Sequence, residues 1–338
     1  MKLIKKSIEK LPKTFSLRTF FKSIYHLLAP SGSKRYLYTH TFLRRLINSR
    51  YKYWIKHFDT YTKVDLQRFR KRSTMMPLKP KFSVIMPVFN PPVKFLDHAI
   101  QSVRKQAYPY WELCIADDAS TDPEVGKLIN SYCQEDPRIQ AVYREQNGHI
   151  SAASNSALEL ATGEFIALLD HDDRLHPLAL FYTAEEINRA PDCEVIYSDE
   201  DKLTHDGSRI SPYFKSDFDY ELLLSQNMVS HIGVYRTEMV RQVGGFRIGF
   251  EGSQDYDLLL KVIEKINPHQ IRHIPRVLYH WRISKQSVAI SADVKPYAVQ
   301  SAAKALREHL EKKKIKATVE PFRNFGYKIN YDISEPAP

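Results

Sequence analysis

The run Phe165-Ile166-Ala167-Leu168-Leu169 passes without a spacer into Asp170-His171-Asp172-Asp173. Five apolar residues suit a buried strand, and three carboxylates crowded at its end repel one another and raise one another's pKa. A chain tolerates such a rim when something offsets the charge. Mg2+ or Mn2+ would do so, because hard carboxylate oxygens suit both ions, which also bridge phosphate oxygens. The alternative is a capping turn ahead of the helical pattern at 176–189.

The same strand-then-polar-rim pattern recurs upstream. Phe82-Ser83-Val84-Ile85-Met86 reads as a strand stopped by Pro87 and by Asn90-Pro91-Pro92. Phe95, Leu96, Ala99, Ile100 and Val103 take helical spacing, and Trp111 to Ala116 reads as a second strand ending in Asp117-Asp118-Ala119-Ser120-Thr121-Asp122. Strand, helix and strand with short joints make a parallel crossover, whose ligands sit beyond the carboxyl ends of the strands. Asn90 and Asp118 fall there. Capping of a helix over 123–131 stays open as the role of Asp117 and Asp118. Ile139 to Tyr143 is a third strand and Asn147-Gly148 a turn; Ser151 to Ala161 is an Ala-rich helix that Gly163 is placed to stop.

Charge divides the chain. Residues 1–81 hold 21 Lys and Arg against Glu9, Asp59 and Asp65, a net of +18, whereas the rest carries −7 of the overall +11. In this basic arm Ile4, Ile8 and Leu11 share a helical face among Lys5, Lys6 and Lys10. Leu43, Leu46, Ile47, Trp54 and Ile55 form a second stripe flanked by Arg44, Arg45, Arg50, Lys52 and Lys56. Such stripes suit an anionic membrane surface or a protein partner, here through residues 1–72, or plain packing on the body. Nucleic acid is not expected, since no zinc-ligand spacing, RNP-like string or heptad series accompanies the charge. The stretch from Lys71 to Lys81, with Pro77 and Pro80, reads as a linker. No signal-like apolar core follows the first lysines, and no run approaches the roughly 18 apolar residues of a membrane-spanning helix. Cys114, Cys133 and Cys193 form no CxxC pair. A cytoplasmic setting is expected, with the inner face of the membrane as the arm's candidate surface.

The ordered set VIMPVFN (84–90), IADDASTD (115–122), NGHISAASNSAL (147–158), GEFIALLDHDD (163–173) and GGF with QDYDLLLKV (244–262) resembles family 2 glycosyltransferases, most closely the bacterial type that builds surface polysaccharides. The resemblance covers roughly residues 82–285. It implies an α/β fold of the GT-A class: a mixed, mostly parallel central sheet flanked by helices. Residues 1–81 become a basic helical extension and linker, 82–285 the transferase domain, and 286–338 a C-terminal helix and tail packed on it.

The resemblance also implies roles. Pro87 and Asn90 look like part of the nucleotide pocket, and Asp118 resembles the carboxylate that takes a hydrogen bond from the pyrimidine. Asn147, Gly148, Ser151 and Asn155 correspond to the loop and helix start lining the donor pocket. Asp170 matches the first acid of the Asp-x-Asp motif, near ribose and sugar; Asp172 matches the last, on the Mn2+ or Mg2+; Asp173 shares either role. His280, after the strand-like Arg276 to Tyr279, stands where similar enzymes often place a further metal ligand, though a lone His there is as readily structural. Arg282 is positioned to meet the diphosphate. Asp255 in the Gln254-Asp255 pair is the expected base, with Asp257 a structural capping partner; an ordinary N-terminal helix acid would look the same. Tyr197-Ser198-Asp199-Glu200-Asp201-Lys202 is either acceptor-facing or an acidic turn. His171, His176, His231 and His273 show no defensible ligand spacing.

The chemistry agrees with these residue types. A sugar–nucleotide bond breaks as negative charge builds on the departing diphosphate, which a divalent ion stabilises as a Lewis acid. The acceptor hydroxyl must lose a proton on the opposite face, so a carboxylate base is wanted, and direct attack inverts the anomeric carbon. The expected partners are a nucleotide-diphosphate sugar and a glycan or lipid-linked acceptor. Two rivals remain: a sugar-nucleotide pyrophosphorylase, although the Gly-rich basic loop it needs is replaced by Asn90-Pro91-Pro92, and a nucleotide- or polyanion-binding protein acting through the arm. A dinucleotide fold would need G-x-G-x-x-G after the first strand, which is absent.

Overall fold

The computed structural model describes residues 47–283, 296–322 and 326–332. The stripe of Ile4, Ile8 and Leu11, together with Leu43 and Leu46, lies outside them. Two compact units divide between Thr60 and Tyr61. In the first, residues 47–58 are helical, as their apolar spacing predicts, with Tyr53, Phe58, Lys52 and Lys56 exposed.

The second unit is an α/β layer structure built on the expected crossovers. Strands β1 (Phe82–Val88), β2 (Trp111–Asp117), β3 (Ile139–Tyr143) and β4 (Phe165–Leu168) pair in parallel in the order β3-β2-β1-β4. The sheet continues through β8 (Gly233–Arg236), β6 (Val195–Leu203), β9 (Ile271–Arg282) and β5 (Arg174–Leu175), while β7 (Arg209–Tyr213) pairs with β6. Pairing is antiparallel at β4–β8, β8–β6, β9–β5 and β6–β7, and parallel again at β6–β9. The sheet is therefore mixed.

Side chains alternate between two cores because successive residues of a strand point to opposite faces. Phe82, Val84, Met86 and Val88 enter one core and Ile85 the other; Leu113 and Ile115 oppose Cys114 and Ala116 in the same way. The first core is closed by α2 (Val93–Arg104), α3 (Pro123–Glu135) and α5 (Ala179–Arg189). On α2, Phe95, Leu96, Ala99, Ile100 and Val103 face inward as their spacing predicts, and each large apolar side chain contributes about 1.5–3 kcal/mol on burial. The second core is closed by α4 (His149–Leu160), α8 (Gln254–Ile263) and α9 (Pro296–Lys312). Ala302, Ala303, Leu306 and Leu310 of α9 are buried there.

Three local readings change. The acidic run 199–201 is not a turn: β6 continues through it to Leu203, paired on one side with β9 and on the other with β7. Helix α3 is capped by Asp122, whose carboxylate accepts from Glu124 N at 3.0 Å, so capping does not account for Asp117 or Asp118. Helix α1 (Lys63–Thr74) begins at Thr62 with a reciprocal Thr62–Asp65 capping box. Tyr61, Leu66 and Phe69 pack on the first core, with the Phe69 and Phe181 rings 4.8 Å apart. The body's packing therefore starts near Tyr61, ahead of Phe82. Leu66 and Phe69 sit among Lys63, Arg68, Arg70, Lys71 and Arg72, whose charge masks their stripe in the sequence.

Candidate active site

Parallel pairing of β1, β2 and β4 brings the segments after all three strands to one edge. Asp118 is buried, and its backbone N–H donates to Val88 O at 2.8 Å, fastening the β2 rim to the β1 rim. Its carboxylate accepts from Arg144 Nε at 2.8 Å and from Gly148 N at 3.0 Å, and its carbonyl from Asn147 Nδ2 at 3.2 Å. Asn90 holds the left-handed region (φ 45°) and its side-chain oxygen accepts from Thr121 N at 2.8 Å. Pro87 O lies 3.2 Å from His171 Nδ1. Pro87, Asn90, Asp118, Asn147 and Gly148 are thus brought together.

Ser151, in the first turn of α4, is buried and its hydroxyl has no hydrogen-bond partner among the described residues. Asn155 is engaged elsewhere. Its amide donates to Phe246 O and its oxygen accepts from Phe246 N, both at 2.8 Å, tying α4 to the Gly244-Gly245-Phe246 turn. Gly245 is required there: φ is +64°, and a Cβ would come within 2.6 Å of the Asn155 oxygen.

After β4 the chain turns tightly, with Asp173 N donating to Asp170 O at 3.2 Å. Tyr279 binds both acids of this turn: its hydroxyl donates to Asp173 Oδ2 at 2.6 Å and accepts from Asp170 N at 3.2 Å. Arg282 N donates to Asp173 Oδ1 at 2.6 Å. Burial, then the charges of Asp172 and Asp170, push the Asp173 carboxyl well above its ordinary range. Burial also raises that of Asp172, with Asp170 adding to it and His171 opposing. One ligand atom from each of Asp170, Asp173 and His231 lies within 4.8 Å of the others. The His231 ring stacks on Tyr279 at 4.5 Å.

The imidazole in this group is not His280. Adjacent residues of β9 face opposite sides of the sheet, and His280 Nδ1 lies 2.6 Å from Asp201 Oδ1, opposite to the face on which Tyr279 meets Asp173. Nor does Asp172 belong to the three-residue group, although its charge interacts with that of Asp170. Arg282 is buried; its Nε donates to Asp172 O at 2.6 Å, its guanidinium lies 4.1 Å from the Phe95 ring centre, and Nη2 has no partner among the described residues. It braces the acidic turn.

Asp255, at the start of α8, lies near enough to this edge for the charges of Asp170 and His231 to act on it. Burial, then the charge of Asp170, raises its pKa above the ordinary 3.8, while His231 opposes the rise. Asn227 Nδ2 donates to Asp255 Oδ2 at 2.8 Å. Gln254 keeps a buried amide oxygen without a partner among the described residues. Asp257 is occupied differently: Arg247 Nε donates to its two oxygens at 3.1 and 3.0 Å, and Arg247 Nη1 meets Glu308 at 2.5 Å.

The acids of β6 are also committed to the protein. Asp199 Oδ1 lies 2.9 Å from His273 Nε2, Glu200 pairs with Lys215 at 3.1 Å, and Asp201 pairs with Arg209 at 2.6 Å and with His280. Sequence reading missed His231, Asn227, Tyr279, Arg144 and Lys215. A pair such as Asp170 and His231 has no local spacing that would mark it.

The sequence profile described as "Glycosyl transferase family 2" matches residues 83–244. These residues belong to glycosyl transferase family 2. "Uncharacterized protein y4gI" of Sinorhizobium fredii is 52% identical over 231 residues, 68% of this chain and 25% of that protein. "O-antigen biosynthesis protein RfbC" of Myxococcus xanthus is 32% identical over 255 residues, 75% of this chain and 20% of that protein. The chain thus spans a quarter or less of these curated relatives. Among solved structures, S. aureus TarS 1–349 in complex with UDP-GlcNAc has a TM-score of 0.52 at 19% identity, over 68% of this chain and 73% of that one. Mannosyltransferase PcManGT from Pyrobaculum calidifontis, in complex with GDP-Man and Mn2+, has a TM-score of 0.51 at 17% identity, over 74% and 71%. The family 2 domain has the GT-A fold.

Proposed function

We propose that this protein transfers a sugar from a nucleotide-diphosphate donor to a hydroxyl of a surface glycan or lipid-linked glycan, inverting the anomeric carbon. The observation that carries this reading is the approach of Asp255, held by Asn227, to the group of Asp170, Asp173 and His231. Two crowded carboxylates, one of them buried, and an imidazole form a donor set suited to Mn2+, and their mutual repulsion favours a cation. Asp170, Asp173 and His231 would hold it, with Asp172 beside them. When bound, the ion supplies Lewis-acid stabilisation for the leaving diphosphate.

The chain's own groups account for the rest. Asp118, buffered by Arg144 and Gly148 N, keeps carboxylate lone pairs for a nucleobase N–H. Pro87, Asn90 and Asn147 shape that end of the pocket. Ser151 offers a hydroxyl with no partner among the described residues. Asp255 takes the proton from the acceptor hydroxyl, and its raised pKa strengthens it as a base once ionised. Two structural neighbours, one in complex with UDP-GlcNAc and one with GDP-Man and Mn2+, support a nucleotide-sugar donor.

The test is a thermal-shift screen of UDP-, GDP- and dTDP-sugars with and without Mn2+, followed by turnover of the best donor. One donor raising the melting temperature only with Mn2+ is expected. Equal stabilisation by every nucleotide, with no sugar transfer, would sink the proposal.

We also propose that the basic arm touches an anionic membrane surface. No described helix is long and apolar enough to cross a membrane. The exposed Tyr53 and Phe58 beside Lys52 and Lys56 suit a helix lying on a bilayer.

A further inference from the structure

His231 is held by its backbone. Its N–H donates to Glu200 Oε2 at 3.2 Å, and its carbonyl accepts from Lys215 Nζ at 2.5 Å. Glu200 and Lys215 pair with each other at 3.1 Å, closing a ring of three contacts around one residue. Lys215 Nζ also donates to Val229 O at 2.7 Å, and Lys215 N donates to Asp199 Oδ1 at 2.9 Å. Ser230, between these anchors, has φ 43°, a conformation a residue with a side chain keeps only when its surroundings impose it. Asn227 Oδ1 accepts from Ser230 N at 3.0 Å. The 227–231 segment is therefore pinned at Asp255 on one side and at a buried ion pair on the other.

We propose that the Glu200–Lys215 pair is a positioning device that fixes the His231 imidazole over Tyr279, in register with Asp170 and Asp173 for cation binding. The inference rests on the reading of that group as the cation site. Three features carry it. Both ions of the pair touch the backbone of one residue that joins the acidic group. A buried ammonium with one carboxylate and two carbonyls is matched to a single loop geometry. The pair comes from β6 and from just after β7, outside the segment it holds, so the constraint arises from the sheet. Partners that orient a ligand from outside the coordination sphere typically change metal affinity about 10–100-fold when removed.

The test is Mn2+ binding, read from the loss of the free-ion EPR signal on the full chain, together with melting temperature. Lys215→Arg keeps the charge but cannot place one nitrogen between two carbonyls; Glu200→Gln keeps the shape and removes the charge. We expect His231→Ala to weaken Mn2+ binding at least about 10-fold and the folded Lys215→Arg or Glu200→Gln protein to approach the same loss. In a His231→Ala background either substitution should have little additional effect, because both act through His231. If either protein melts early, the same comparison is made on the other. Wild-type-like Mn2+ affinity in a folded Lys215→Arg or Glu200→Gln protein, with His231→Ala impaired, overturns the positioning role alone. An equal loss with and without His231 overturns it as well, by showing a general structural effect. Unchanged affinity in His231→Ala removes the cation reading and the positioning role together.

Discussion

Asn227 donates one hydrogen bond, 2.8 Å long, to the carboxylate of Asp255, 28 residues further along the chain. That bond favours the ionised acid, while burial and Asp170 favour the protonated one. The base is held between opposing effects, so its titration reports on its surroundings.

Asp255→Asn should reduce kcat by about 10²–10⁴-fold with donor affinity nearly unchanged. Asn227→Ala should move the acid limb of kcat/KM to higher pH, because losing a donor to the ionised form raises the pKa further. A pH–rate profile of both proteins checks this. An acid limb unmoved in Asn227→Ala, or a large loss of donor binding in Asp255→Asn, would remove Asp255 as base.

The raised pKa of Asp173 makes a stability prediction. An acid whose folded pKa lies above its unfolded value stabilises the fold below the unfolded value, near 3.8, and that contribution is lost as pH rises through the folded pKa. Without metal, this group costs stability once it ionises. Mn2+ should offset that cost, so the rise in Tm with Mn2+ should grow with pH above the ordinary carboxylate range. Melting curves at matched ionic strength decide it; a metal effect independent of pH counts against Asp173 as a ligand.

Asp257 should behave as a structural acid. It is buried and bound to Arg247, so Asp257→Ala leaves that partly exposed guanidinium with Glu308 as its remaining acid and should cost about 1–3 kcal/mol in urea unfolding. Activity per folded molecule should survive. A fully stable but inactive Asp257→Ala protein would exchange the roles of the two acids.

The two-unit division and the packing of α1 place the safe truncation before Tyr61. A protein starting at Tyr61 should keep its melting temperature and lose binding to phosphatidylglycerol vesicles, with transfer to a soluble acceptor retained. Undiminished vesicle binding would remove the membrane role of the arm.

What the sequence determined by itself is local and repetitive. Alternating apolar runs with polar residues directly after them marked β1, β2, β3 and β4, because a parallel crossover needs each strand buried and each carboxyl end at one rim. That placed Asn90, Asp118 and Asp170 at the candidate site. The apolar stripe of Leu258, Leu259 and Val262 marked the helix that Asp255 opens, whereas its expected role as base came from the resemblance of the Gln254-Asp255 pair.

Tertiary structure decided the partners. Asp170 and His231 stand 61 positions apart, and only the adjacency of β4 and β8 brings the segments beside those strands together. His280 and Tyr279 are neighbours in sequence, yet the pleat of β9 sends one to Asp201 and the other to Asp173. The acids at 199–201 left an acceptor-facing segment and an acidic turn open, because like charges in a row suggest solvent; Lys215, Arg209, His273 and His280, from other parts of the chain, supply the opposite charges and hydrogen bonds that let a strand bury them. Spacing along a chain records which face a residue takes. Which charge compensates it is set when distant strands pair.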